Sequence, residues 1–311
     1  MKSGEKMALR SLDNALPTTP DRPKKIARVS VLPVSKKSTS DIIVNDENQA
    51  PVPVSSEPII EYISSEDLNP ISEPESKING LMDGLDSKDW AKVCESLNDV
   101  RRFALFDSSI LVPVLDKVML VMVKAMKNPR SALVKTSIMA ASDIFKAFTD
   151  NLLESSTSDA LDQLLLQLLL KASQDKKFVC EEAEKSLRIM VESISPVQLL
   201  HKLRVYSSHN NPRVRAKAAV SISHSASRMD LNGMKEFGLG KLIQIGADLL
   251  NDRLPEAREA ARKTITSIYD AFVQDEELKD SELSLKESWE NFCLSNLQTI
   301  QAQSLIKIIF T

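Results

Sequence analysis

The sequence predicts an all-α fold: a solenoid of about six stacked helical hairpins, preceded by a disordered tail. Three observations lead there. Helix openings that resemble one another recur roughly every 41 residues along the body of the chain. Between them, apolar residues return at intervals of three and four, the helical period. Composition agrees, because 7 glycines and 5% aromatics are few for a sheet-rich enzyme, while Leu, Ala, Ser, Lys and Glu are abundant and suit helices.

The tail comes first. Residues 1–75 hold nine of the fourteen prolines and only one of the fourteen aromatics, Tyr62. Such a segment cannot bury enough apolar surface to offset its ordering entropy, so disorder is expected over 1–75. Its charge is blocky. In 1–40, nine Lys/Arg face Glu5, Asp13 and Asp21, a net of +6, whereas 41–75 carries nine acids and no Lys/Arg. "TTPDRPKK", residues 18–25, has the Thr-Pro context with following basic residues that proline-directed kinases accept. A kinase acting on the tail is therefore an expected partner, beside the plainer reading of a solvated linker.

The body, 76–311, is built from a repeat. Pro113, Pro129, Pro196, Pro212 and Pro255 mostly stand where helices should begin, and proline is tolerated in a first turn. The openings align on Val93, Val134, Val179, Val214 and Ala257, spaced 41, 45, 35 and 43 residues apart. Four residues after each anchor stands Leu97, Ile138, Ala183, Ala218 or Ala261, one helical turn along the same face. A polar turn precedes each of these helices. Ahead of most turns lies another apolar helix, expected over 110–126, 160–172, 196–206 and 234–250. A helix–turn–helix unit of this length falls in the HEAT/armadillo range. One pair cannot bury its own apolar face, so the pairs must stack, in a right-handed superhelix. After an acidic link, "QDEELKDSEL", the segment "KESWENFCLSNLQTIQAQSLIKIIF" reads as a sixth, terminal pair sealed by Trp289 and Phe292.

The turns carry the functional signal. "LDSKDW", "KNPRS", "QDKKF", "HNNPR" and "LNDRL" each contain Lys or Arg, and the first ends in Trp90. Stacking should bring these turns into line as one basic edge with an indole at one end. The candidate binding residues are Trp90, Lys127, Arg130, Lys176, Lys177, Arg213 and Arg253. A tryptophan on a turn is costly to leave wet, and a cationic rim steers an acidic protein partner. Arg215 and Arg258, one residue past their anchors, are expected to fix turns structurally through ion pairs, with Asp252 six residues before Arg258 as the acid.

Other chemistries find little support. Cys94, Cys180 and Cys293 are scattered and read as reduced packing thiols. His201, His209 and His224 lack metal-ligand spacing, so neither metal nor cofactor is expected. "GLGK", 238–241, lacks the frame of a phosphate loop and reads as a break at a helix start, and the chain is not expected to be an enzyme. A net charge of -3 implies no general affinity for nucleic acid. No apolar run reaches about 18 residues, and the first residues lack the apolar core of a secretory signal, so no membrane contact and a cytoplasmic location are expected.

Residues 77–311 resemble a TOG domain, the HEAT-repeat module of CLASP, XMAP215 and crescerin-type proteins. The resemblance rests on "SKDWAKVCESLNDV", with its turn tryptophan, on "NPRSALVKTSIMAA" and on "LPEAREAARKTI", in that order and spacing. It implies a flat block of six HEAT pairs whose intra-repeat turns bind the αβ-tubulin heterodimer or microtubule, and hence a place in the microtubule cytoskeleton. Carried over by position, the contacts would come from Trp90 in the first turn and Lys127 and Arg130 in the second. Lys176 and Lys177, Arg213 and Arg253 would follow in the next three. Val93 stands where the family often carries a basic residue, and Cys94 and Cys180 replace helix-start basic residues. The alternative reading is a HEAT/armadillo scaffold for another acidic protein or peptide.

Overall fold

The computed structural model describes residues 62–274 and 284–310. Every regular element among them is helical. The first hairpin joins α1 (Pro74–Leu85) to α2 (Trp90–Phe106). In the second, α3 (Ser108–Leu111) and α4 (Leu115–Met126) lead to α5 (Ser131–Phe148). The third is α6 (Ser158–Lys171) with α7 (Lys177–Ser193), and the fourth α8 (Pro196–Leu203) with α9 (Pro212–Ser227). The fifth runs α10 (Leu231–Phe237), α11 (Leu239–Leu249), α12 (Pro255–Val273), and the sixth pairs α13 (Leu285–Asn296) with α14 (Thr299–Phe310).

The hairpins stack because each second helix packs on the next: α2 on α5, α5 on α7, α7 on α9, α9 on α12. The repeat anchors lie in that contact. Val93, Val134, Val179, Val214 and Ala257 are all buried, as are the residues four positions on, Leu97, Ile138, Ala183, Ala218 and Ala261. Ala at three of these points lets neighbouring helices approach closely. The result is a single apolar core running from Leu81 to Leu305, a solenoid of the expected kind.

Three expected first helices are broken or shortened. The segment 110–126 divides at a 3₁₀ turn, Val112–Val114, where Pro113 cannot supply an N–H to the helix. The fourth gives way after Leu203 to a 3₁₀ turn over Arg204–Ser208. The stretch 234–250 breaks at Gly238, whose φ of 105° is open to glycine but strained for other residues, which accounts for "GLGK". Trp289 seals the last pair as expected, fully buried with Tyr269 and Phe272 edge-on at 5.1 and 5.3 Å. The tip of that pair packs on α11, where Gln301 Nε2 donates to Asp248 Oδ1 at 3.2 Å.

Of the tail expected over 1–75, residues 1–61 lie outside the described residues, and so do most of the acidic link (275–283) and the kinase-type motif at 18–25. Residues 62–73 lie on the domain, a dozen residues ahead of the boundary read from composition. Arg101, 1% exposed, pairs with the fully buried Asp143 through Nε–H at 2.7 Å. The same guanidinium donates to Ile63 O at 2.8 Å, and Ser65 Oγ donates to Asp143 Oδ1 at 2.7 Å. Leu68 then drops into the core, 4% exposed. A buried charge pair needs its remaining hydrogen-bonding capacity met, and this strap meets it.

Candidate functional site: the edge of hairpin tips

Four of the first five second helices start at a tip made by a short polar side chain. Asp89 Oδ1 accepts from the Ala91 N–H at 3.0 Å, Asn128 Oδ1 from Arg130 at 2.9 Å, Asn211 Oδ1 from Arg213 at 3.0 Å, and Asp252 Oδ1 from Leu254 at 2.9 Å. Asp and Asn do this because their side-chain oxygen reaches the N–H two residues on, mimicking a backbone turn. The third tip differs: Asp175 uses its carboxylate on a neighbouring tip instead.

Consecutive tips are tied to one another. The Arg130 guanidinium of the second lies 4.9 Å from the centre of the Trp90 ring at the first. Lys176 Nζ of the third donates to Ser131 Oγ of the second at 3.1 Å. Arg213 of the fourth donates to Asp175 Oδ1 at 2.6 Å and Ser173 O at 3.3 Å of the third. Arg215 of the fourth donates to Asp252 Oδ2 of the fifth at 2.6 Å. The five tips therefore form one continuous edge, the geometry that stacking requires.

The edge is electropositive for two reasons. Lys127, Arg130, Lys176, Lys177, Arg213 and Arg253 are all exposed, the side chains of Lys177 and Arg213 by 87% and 55%. The N-termini of α2, α5, α7, α9 and α12 also converge there, each adding the positive end of a helix dipole. Acidic residues normally offset that charge. Here the first turns of α2, α5, α7 and α9 contain none, leaving Glu256 of α12 alone among the five.

Trp90 is neither fully out nor fully in. Its ring is half-buried against the core and covered on one face by Arg130, an arrangement that stiffens the first two tips together. Arg213 stays exposed and also bridges to the third tip. For Arg258 the structure corrects the expected pairing. Its Nη1 donates to the backbone carbonyls of Asp252 at 2.8 Å and Arg253 at 3.1 Å, not to the carboxylate. The carboxylate is already taken by Arg215 and the Leu254 N–H, and the tip carbonyls lie beyond the helical ladder and need donors. Burial alone would raise the Asp252 carboxyl, but Arg215 and the Leu254 N–H outweigh it and hold it below the ordinary range.

Two further residues mark the third tip. Phe178, just after the two lysines, is 43% exposed. Lys171 closes α6 in helical phase with the buried Leu164 and Leu168, and is itself only 9% exposed. The signal was present: a lysine falling on an apolar stripe in "LLLQLLLKA". Among the described residues no three His, Cys, Asp or Glu converge to hold a metal, and no helix is long and apolar enough to cross a membrane.

Comparison with known proteins agrees with this architecture. The family model described as CLASP N terminal matches residues 106–283. The mouse TOG array regulator of axonemal microtubules protein 1 is 28% identical over 210 residues, covering 66% of this chain and 12% of that protein. Its human counterpart is 32% identical over 143 residues, covering 46% of this chain and 8% of that protein, so the chain matches a small part of either relative. The TOG domain structure of C. elegans Zyg9 superposes with a TM-score of 0.55 at 14% identity, over 79% of this chain and 88% of that one, a likeness of fold.

Proposed function

Because the chain belongs to the CLASP N-terminal family and carries a TOG-type HEAT-repeat domain, we propose that it is a non-catalytic module that binds αβ-tubulin through its edge of hairpin tips. The observation that carries this reading is the continuity of the edge: five tips tied in series, lined with cations and helix N-termini, with a stacked indole at one end. Such an edge steers an acidic protein surface and holds it without conformational cost, since the ties set the tip spacing before the partner arrives. Selecting one shape of tubulin dimer through a stiff edge is a route to regulating microtubule dynamics, and places the protein in the microtubule cytoskeleton. The mouse and human relatives are named as regulators of axonemal microtubules.

The test is gel filtration of the chain with free tubulin dimer, beside the Trp90→Ala, Lys177→Ala double variant. The wild type should co-elute with tubulin and the variant should not. Co-elution of the variant would reject the edge, and a wild type that elutes alone would reject tubulin in favour of another acidic protein. The net charge of +6 over 1–40 assigns that arm a second contact with the acidic microtubule lattice. Deleting 1–61 should weaken co-sedimentation with microtubules and spare the free dimer. Undiminished co-sedimentation overturns that part.

A further inference from the structure

Tyr62 is the single aromatic of residues 1–75, and the strap carries it to the binding edge. Two rungs fix the path of the strap across α2 and α5. At the inner rung, Ser65 Oγ donates to Asp143 Oδ1 of α5 at 2.7 Å, and Arg101 of α2 donates to Ile63 O at 2.8 Å. At the outer rung, Lys135 Nζ of α5 lies 4.5 Å from the centre of the Tyr62 ring. Burial, and then the nearby Cys94 thiol of α2, push the Tyr62 hydroxyl pKa up. Lys135 stands eight residues before Asp143, and Cys94 seven before Arg101. The outer rung is therefore about 10–12 Å nearer the N-termini of both helices. Three residues of extended chain, with Ser64 at φ -69° and ψ 160°, cover that distance at about 3.3 Å each. The strap runs straight toward the tips.

Cys94 lies four residues past Trp90, and Lys135 four past Ser131, one helical turn in each case. Tyr62 with Lys135 is thus a second aromatic–cation pair, about 6 Å behind Trp90 with Arg130 on the same two helices. The tyrosine is 42% exposed, an aromatic left partly wet at the corner of the first two tips. Its ring is oriented by Lys135, and Lys135 is held in turn by Glu182 of α7 at 3.6 Å. Covering a ring fixed in this way costs little side-chain freedom, and tyrosine joins an apolar body to a polar tip, as interfaces favour. We propose that Tyr62 is a tubulin-binding residue: a partner surface seated on Trp90 overhangs α2 and α5 by one turn and closes over the phenol ring. This rests on the tubulin reading above and adds a contact from outside the helical repeats. The edge is then a row of tips with a broadened corner at its Trp90 end.

The test compares Tyr62→Ala and Tyr62→Phe in the full chain, with Trp90→Ala as reference. Binding of free tubulin dimer, by fluorescence titration, and thermal melting are measured together. Tyr62→Ala should weaken binding about fivefold or more and melt with the wild type, since the ring it removes is partly exposed. Tyr62→Phe keeps the ring over which the partner closes and should bind as the wild type does. Wild-type affinity in Tyr62→Ala, beside lost affinity in Trp90→Ala, overturns the proposal and leaves the edge intact. Tighter binding in Tyr62→Ala would mean that the strap shields the edge, and overturns it as well. A lowered melting temperature with a matching loss of binding gives Tyr62 a structural role and overturns it too. A wild type that fails to bind tubulin removes the functional reading and this inference with it.

Discussion

Asp252→Ala tests whether the tips are held in register by the contacts that join them. The Asp252 side chain is 4% exposed and that of Arg215 21%. Removing the carboxylate leaves a largely covered guanidinium with only the His209 carbonyl at 2.7 Å and the Asn210 carbonyl at 3.3 Å. Breaking a buried pair costs about 3–5 kcal/mol, and partial exposure with two surviving carbonyls puts this case near the low end, about 3 kcal/mol. The Leu254 N–H loses its acceptor as well, which adds about 1 kcal/mol. For a domain of this size each kcal/mol moves the midpoint by roughly 2–4 °C, so the expected fall is about 8–16 °C. The assay is differential scanning calorimetry of both proteins across pH. Because the folded-state pKa of Asp252 is lowered, its stabilisation is fully present above the unfolded carboxyl pKa of about 4 and disappears as pH falls through the folded value. The gap between wild type and variant should therefore hold near neutrality and narrow in acid. A variant melting within 2 °C of wild type at neutral pH (the effect of about 1 kcal/mol or less), or a gap that widens in acid, would refute the reasoning.

Three further outcomes follow from the same packing. Phe178→Ala, at an exposed aromatic on the third tip, should weaken tubulin binding about fivefold in fluorescence titration and leave the melting temperature unchanged. Asp143→Ala strands the buried Arg101 and releases Ser65, so it should cost about 3–5 kcal/mol in chemical denaturation and speed proteolysis within 62–68. Burial pushes the Cys293 thiol up to about 12 and raises that of Cys94, and both side chains are fully covered. In native protein at about pH 8 both should resist maleimide, leaving half-buried Cys180 as the first site modified, read by peptide mass spectrometry.

The solenoid was legible because its cause is periodic. A helix pair that cannot bury its own face must repeat one, and the anchors from Val93 to Ala257 repeat it in plain view. The edge was legible for the same reason, since stacking brings equivalent turns together whatever residues they carry. Pairings within the edge were not. Asp252 is six residues from Arg258 in sequence, yet its carboxylate serves Arg215, thirty-seven residues away, because tip-to-tip distance is set by the stack and not by the chain. The strap was missed because proline and acid content over 41–75 masks two local facts: a buried guanidinium in need of acceptors, and a leucine, Leu68, placed to anchor the segment.

The footprint of tubulin on this chain tests the central claim most directly. Hydrogen–deuterium exchange with and without a saturating excess of free dimer should show protection over 86–92, 127–132, 171–179, 209–215 and 250–255, with little change over α8 and the 3₁₀ turn after it, around the exposed Val205. Protection confined to the α8 surface, or spread over residues away from the five tips, would contradict it.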